Sequence, residues 1–422
     1  MKLKIKTLII GLFAASFACY ANGIGTNGYA YNNDNDTDTV GVDTIAQDSV
    51  EQIEKLPYPL NIQSRIDKLR ESKIFKTSMA GMMVYDLTAD SVIYSYNEQQ
   101  LMRPASTLKM MVAVAALDRL GCDYRYHTVM AHTGDVENHV LKGDIYIKGG
   151  FDPTIEERDL DVFVDSLKSL DVDTIRGNIY ADVTMKDSDR LGEGWCWDDD
   201  NPVLSPLLVS RKEEFTERLA NRIRKEGIVF TGELRTDKMP RSAREICVME
   251  RKVDDVMHDM LKESDNLYSE SLFYQLAASA GGTATAKQGR AQMNRLIDKL
   301  GFKPSRYYIA DGSGLSLYNY VSPELEVAFL KYAYKNDCIY SRLMLHLPIA
   351  GKDGTLEKRM RKGAAKGNVF AKTGTVTGVS ALAGYCTAAN GHRLCFSIIN
   401  MGIRHASSGR DFQDLVCEAL CR

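Results

Sequence analysis

Three short stretches of this 422-residue chain carry side chains able to act on one another. Ser106 and Lys109 are three residues apart. On a helix they share a face, and the lysine amine reaches the serine hydroxyl. A serine hydroxyl is a poor nucleophile until a base takes its proton. A lysine becomes that base once burial or a neighbouring cation drives it toward the neutral amine, and Lys372 is expected to be such a cation. Ser264-Asp265-Asn266 brings a second hydroxyl and an amide, and Lys372-Thr373-Gly374 brings a second amine. At a helix start, the backbone N–H of Ser106 also points to where an oxyanion would develop. Each stretch is weak alone. Ser-Asp-Asn is ordinarily a helix N-cap, and Lys-Thr-Gly is ordinarily a turn. The signal is their order, with each at the boundary of an element.

Those boundaries come from hydrophobic periodicity and breakers. Helices are expected at Ile62–Ile74, Leu108–Leu120 (ended by Gly121), Asn266–Ser279, Thr285–Leu300, Pro323–Lys335, Tyr340–His346 and Ser408–Leu420. Strands are expected at Met79–Leu87, Ser91–Tyr96, Phe370–Thr377, Ala381–Thr387 and Arg393–Met401. Between about residue 124 and 248 the texture changes to short alternating runs, such as Ile145-Tyr146-Ile147 and Ile179-Tyr180-Ala181. The pattern is α+β: an antiparallel sheet flanked by helices and split by a β-rich insertion. The expected division is a catalytic domain at 58–123 and 249–422, with the insertion at 124–248.

Composition narrows the function. A net charge of −3 offers no basic excess for phosphate neutralisation, so a nucleic-acid partner is not expected. Lys2, Lys4 and Lys6 followed by an apolar run over residues 8–17 and small residues to Ala21 read as an export signal, residues 1–21. The run is short of the roughly 20 residues that span a bilayer. Cleavage after Ala18 or Ala21 gives a soluble periplasmic product. Lipidation of Cys19 is the competing outcome. Residues 22–50 hold five Asn, five Asp and no Lys or Arg, and read as a disordered tether continuing to residue 57. Export makes disulfides permissible among the remaining eight cysteines. Ala389-Asn390-Gly391-His392 reads as a two-residue hairpin turn, which would set Cys386 opposite Cys395, within disulfide range or as two small buried hydrophobes. No cysteine or histidine spacing suggests a metal, and no cofactor is expected.

The ordered triple Ser106-Thr107-Leu108-Lys109, Ser264-Asp265-Asn266 and Lys372-Thr373-Gly374 resembles the motif set of class A β-lactamases and penicillin-binding proteins. Pro104-Ala105, Leu267, Asp311-Gly312-Ser313-Gly314-Leu315-Ser316, Thr375, Gly378 to Tyr385 and Gly194-Trp195-Cys196-Trp197-Asp198-Asp199 extend the likeness. From about residue 60 to the end, the chain resembles D-alanyl-D-alanine carboxypeptidase/endopeptidases of the class C penicillin-binding protein 4 type, serine peptidase family S13. The resemblance implies a β-lactamase/transpeptidase-like fold. It implies Ser106 as the acylated nucleophile, Lys109 as its base, Ser264 as proton relay and Asn266 as positioner. Lys372 and Thr373, ahead of Gly374, would receive the substrate carboxylate. The N–H of Thr375 would join that of Ser106 in an oxyanion hole. Asp199 would reach an amine of the peptide side chain. Implied partners are peptidoglycan peptides ending in D-Ala-D-Ala and β-lactams, with homodimerisation left open. Leu317, where relatives often carry Arg, and Thr377, where a longer amide can occur, depart from the pattern and leave the peptide preference open.

A β-lactamase needs a glutamate base between Asn266 and Lys372. Glu270, Glu324, Glu326 and Glu357 do not fit the expected loop. A non-catalytic sensor tends to lose a catalytic residue, and none is lost here. An esterase on the same fold is the remaining rival. Asp311 to Gly314 reads as a tight turn with Ser313 structural. Trp195 and Trp197 read equally as core or cleft residues.

Overall fold

A computed structural model describes residue 53, residues 55–199, residue 201 and residues 203–422. The export segment with Cys19 and nearly all of the tether lie outside the described residues. The described residues fall in one compact unit.

Its centre is a five-stranded antiparallel sheet made by the two ends of the chain. The strands are β1 (Met79–Asp86), β2 (Ser91–Tyr96), β12 (Phe370–Val376), β13 (Val379–Thr387) and β14 (Arg393–Met401), in the order β12-β13-β14-β1-β2. Side chains alternate across a strand, so this sheet has two apolar faces. Met83, Tyr85, Ala383, Tyr385 and Cys395 pack on one side against helices Leu108–Leu120, Val253–Lys262, Asn266–Ala278 and Pro323–Tyr334. Met82, Val84, Leu382, Cys386, Leu394 and Phe396 pack on the other side against helices Leu60–Leu69 and Ala406–Cys421. The first expected helix stops at Leu69, and a separate turn, Ile74–Thr77, completes the stretch.

The Leu108–Leu120 helix forms as read. Every residue from Leu108 to Leu117 is buried, so it is a core helix and not a surface amphipathic one. Cys122 just beyond it is bonded to Cys338 at the head of helix Asp337–His346, closing a sequence separation of 216. On chain-entropy grounds, replacing both cysteines by serine is expected to cost about 2–5 kcal/mol in denaturant unfolding. An unchanged midpoint would show that the bridge adds nothing.

Residues 125–252 build two further sheets. One sheet runs β10 (Leu234–Thr236), β8 (Ile179–Asp182), β6 (Ile145–Lys148), β3 (Arg125–His132), β11 (Arg244–Lys252). A smaller one runs β4 (Asp135–Glu137), β5 (Val140–Lys142), β7 (Thr174–Ile175), β9 (Val229–Phe230). The pairs β6–β8 and β8–β10 are parallel, as strands joined through helices tend to be. Those helices are Leu160–Ser169 and Phe215–Lys225, whose Phe163, Leu167, Phe215 and Leu219 fill a separate core with Ile145, Ile147 and Ile179.

The hairpin expectation is corrected by one residue. Ala388 and His392 close a three-residue loop in which Gly391 has φ of 85°. Cys386 therefore faces Leu394, and Cys395 faces Tyr385. A one-residue shift moves a side chain to the opposite face. The two cysteines point into different cores and are not a pair.

Candidate active site

The turn that presents Ser106 is a single 3₁₀ turn, Ala105–Thr107, running straight into the buried helix. Ala105 has φ of 48°, a left-handed conformation costing a non-glycine residue about 1–3 kcal/mol. Its surroundings hold it there. The Thr107 hydroxyl meets the Pro104 carbonyl (2.7 Å) and the buried carboxyl of Glu326. Glu326 also accepts from Ser397 of β14 and is pushed up to about 7 by burial, with those two hydrogen bonds opposing. Two backbones come close enough to demand glycine. A β-carbon on Gly314 would lie 1.9 Å from the Ala105 carbonyl oxygen, and one on Gly374 would lie 2.6 Å from that of Pro104 and 3.1 Å from the Ser106 nitrogen. These glycines let the 311–316 loop and β12 pinch the nucleophile turn between them.

Lys109 is fully buried, whereas Ser106 is half-buried. Its Nζ lies 2.9 Å from Ser106 Oγ, 2.7 Å from Asn266 Oδ1 and 2.7 Å from the Ser313 carbonyl oxygen. The two carbonyl oxygens can only accept. A neutral amine has two hydrogens for them and one lone pair left, which faces the Ser106 hydroxyl. Burial supplies the neutral form. It pushes the amine down to about 8, against the pull of Asp311, Glu270 and Asp265. Lys372 is itself fully buried and held well below the ordinary lysine range, first by burial and then by Lys109. The two amines repel each other, so charging both at once is disfavoured.

Lys372 donates to Ser264 Oγ (2.8 Å) and to the Thr373 carbonyl (2.9 Å). The site thus holds two amine–hydroxyl pairs, Lys109 with Ser106 and Lys372 with Ser264. Ser264 sits at φ of 66°, between the end of helix Val253–Lys262 and the Asp265 N-cap of helix Asn266–Ala278. Asp265 accepts from Tyr268 N–H and from Arg211 of the insertion (2.6 Å).

Several contributors were not singled out from sequence. The Ser313 carbonyl is a ligand of Lys109, so the 311–316 loop is more than a tight turn. Asp311 shapes that loop, accepting from Gly314 N–H, Ser316 N–H, Asn319 and the Trp195 indole (2.8 Å). Glu270 accepts from Gly312 and Ser313 N–H and is pushed up to about 8 by burial and by Asp311. Trp195 is therefore a core residue with a positioning contact, whereas Trp197 is 90% exposed. Thr355 bonds the Thr373 hydroxyl (2.8 Å), and Asn201 accepts from the Asn266 amide (2.8 Å). Asp199 lies beside Asn201, whose N–H bonds the Asp199 carbonyl (2.8 Å). The Asp199 carboxylate accepts from Cys196 N–H (2.8 Å) and closes a local turn. Backbone carbonyls and polar residues outside a motif leave no pattern in a sequence.

Ser106, Ser264, Asn266 and Thr373 are half-buried and Thr375 is exposed, all around two buried amines. The arrangement can deprotonate a serine, stabilise an oxyanion and return a proton through a second hydroxyl.

The profile of the D-Ala-D-Ala carboxypeptidase 3 (S13) family matches residues 62–208 and 207–420. A D-alanyl-D-alanine carboxypeptidase of Actinomadura sp. is 27% identical over 438 residues, covering 81% of each chain. The D-alanyl-D-alanine carboxypeptidase DacB of Haemophilus influenzae is 25% identical over 423 residues, covering 80% of this chain and 87% of that protein. Among solved structures, penicillin binding protein 4 (dacB) from Haemophilus influenzae superposes with a TM-score of 0.76 at 23% identity, over 84% of this chain and 97% of that one. The same protein complexed with a novel β-lactam gives 0.70 at 24% identity, over 84% and 98%.

Proposed function

The chain belongs to the D-Ala-D-Ala carboxypeptidase 3 (S13) family and is a serine-type D-Ala-D-Ala carboxypeptidase, and from this membership and the site geometry we infer that it works through an acyl-enzyme on Ser106. Lys109 Nζ takes the Ser106 proton as Oγ attacks the carbonyl of the penultimate D-Ala. The N–H groups of Ser106 and Thr375 hold the developing oxyanion. The terminal carboxylate enters beside Lys372 and Thr373. An anion arriving there favours the charged form of Lys372 that burial disfavours. Ser264, hydrogen-bonded to Lys372, relays to the departing amine the proton that Lys109 took from Ser106, giving up one and receiving the other. Water then cleaves the ester, its hydroxide going to the acyl carbon and its remaining proton restoring Ser106. The observation that carries this reading is the Lys109 amine, whose two carbonyl partners leave its lone pair for Ser106.

In this reading residues 58–123 and 249–422 are the catalytic domain, and 124–248 form an inserted lobe that touches the site through Asn201 and Arg211. The substrates are peptidoglycan stem peptides, with cross-links as a second target. The leader at residues 1–21 supports a periplasmic location. β-Lactams acylate the same serine and leave slowly, since none of Glu270, Glu324, Glu326 and Glu357, the glutamates between Asn266 and Lys372, stands in the loop that supplies a β-lactamase with its deacylating base. Intact-mass spectrometry after penicillin exposure tests this. The expected result is one adduct on the wild type and none on Ser106→Ala. An unmodified wild type, or equal labelling of both, would overturn it.

A further inference from the structure

Next to the nucleophile turn lies a carboxyl group that the mechanism above does not use. Glu326 stands on helix Pro323–Tyr334 and is wholly buried, as are Thr107 and Ser397. Its Oε1 meets Thr107 Oγ1, and its Oε2 meets Ser397 Oγ (2.6 Å). Ser397 sits within β14, between Met83 of β1 and Ala383 of β13. The acid thus ties the central sheet to the residue that follows Ser106. Both of its partners are hydroxyls, and among the described residues no neighbouring charge contributes to its shift.

The hydrogens at this junction decide its charge. A hydroxyl has one hydrogen to give. That of Thr107 lies 2.7 Å from the Pro104 carbonyl oxygen, which can only accept. With Thr107 donating there, the contact between Thr107 Oγ1 and Glu326 Oε1 needs a hydrogen from Glu326. A carboxylate has none, and a carboxylic acid has one. The protonated acid therefore satisfies every contact: Glu326 donates to Thr107, Thr107 donates to Pro104, and Ser397 donates to Oε2. The ionised form either sets lone pairs against the Thr107 oxygen or draws its hydrogen away from Pro104, and it buries an unpaired charge as well. Burial drives the group the same way, to about 7. Of the two hydrogen bonds that oppose burial, the one given by Thr107 exists only in the ionised arrangement. The Pro104 carbonyl belongs to the turn itself. It is the oxygen against which β12 closes at Gly374, and Ala105 beyond it holds the left-handed φ of 48°.

We propose that Glu326 is a positioning residue for the nucleophile, held as a neutral carboxylic acid that donates to Thr107 and so fixes the turn presenting Ser106. The acyl-enzyme reading above supplies what the turn presents. The protonation of Glu326 does not depend on it.

The test uses the full chain and its variants. Glu326→Gln keeps a donor for Thr107 and an acceptor for Ser397 and cannot ionise. Glu326→Met fills a similar volume with neither. Thr107→Val keeps the shape and loses the hydroxyl. The acylation rate with penicillin and the kinetics of D-Ala release from a D-Ala-D-Ala peptide are read, with folding checked by thermal unfolding. Glu326→Gln is expected within about threefold of wild type, whereas Glu326→Met and Thr107→Val each lose about tenfold in acylation rate and kcat, with KM within about twofold. The double variant Thr107→Val/Glu326→Met should be no slower than Thr107→Val alone, because both act through one link. The infrared carbonyl band of a buried, protonated carboxylic acid should be present in the wild type and lost in Glu326→Gln. Glu326→Gln as slow as Glu326→Met, Glu326→Met or Thr107→Val as fast as wild type, or no acid band lost on the glutamine substitution would each overturn the proposal. If Glu326→Met does not fold, Thr107→Val and the infrared difference carry the comparison. A wild type that neither takes up penicillin nor releases D-Ala would sink the acyl-enzyme reading, and the infrared band would still decide the protonation of Glu326.

Discussion

Replacing Lys109 by alanine is expected to lower kcat/KM on a D-Ala-D-Ala peptide by about three to four orders of magnitude, or roughly 4–5.5 kcal/mol of transition-state stabilisation. The loss has two parts. Ser106 would keep its proton, because Lys109 is the only base among the described residues that is hydrogen-bonded to it. Asn266 Oδ1 and the Ser313 carbonyl would lose their shared donor, loosening the groups that orient the substrate. The wild-type pH profile carries the same information. Lys109 acts as the free amine, so kcat/KM rises with pH through about 8 and falls as the amine protonates below it. The variant should lose that acid limb along with the rate. Thermal unfolding should move little, because the substitution also removes the desolvation penalty of a fully buried amine. A variant within tenfold of wild type, or one keeping the limb, would remove Lys109 from the role of base.

The second large effect comes from a residue with no functional group. Gly314→Ala would place a methyl 1.9 Å from the Ala105 carbonyl oxygen at a φ of 80°, a conformation that L side chains rarely adopt. The obstacle is backbone, so no rotamer change relieves it. Either the 311–316 loop retreats, taking the Ser313 carbonyl from Lys109, or the Ala105–Thr107 turn shifts and re-aims Ser106. A displacement of about 1 Å at a nucleophile costs on the order of 10²-fold in rate. Strain at a special φ of this kind adds about 1–3 kcal/mol of destabilisation. The expected outcome is a folded protein, less stable than wild type, with kcat/KM down by about two orders of magnitude. Full activity at unchanged stability would show that the pinch on the nucleophile turn is slack.

Much of this site was legible in the sequence because its chemistry sits at element boundaries. The Leu108–Leu120 helix forms with the expected limits. Ser106 and Lys109 bond at the i, i+3 spacing, and Ser264 and Lys372 come together from 108 residues apart. The misses have physical causes. Ser313 acts through a carbonyl that every residue carries. Thr355, Asn201 and Glu270 act through folded proximity, which no local spacing encodes. The Cys386–Cys395 pairing failed because one extra loop residue inverts the facing of a whole strand.

One feature of the central sheet bears on how the protein behaves in a concentrated solution. β12 is an edge strand, covered at its start by residues 348–350 and lacking a backbone partner on that side from Lys372 onward among the described residues. An uncovered edge is a template for pairing with another chain, and thus an aggregation hazard. The cleft needs it uncovered, so the hazard cannot be removed by covering it. It is contained by its make-up. The open stretch is only Lys372 to Val376, too short to template a long pairing and interrupted by a glycine of low strand propensity. Substitutions that make this edge longer or more β-prone would be expected to trade solubility for any gain in stability.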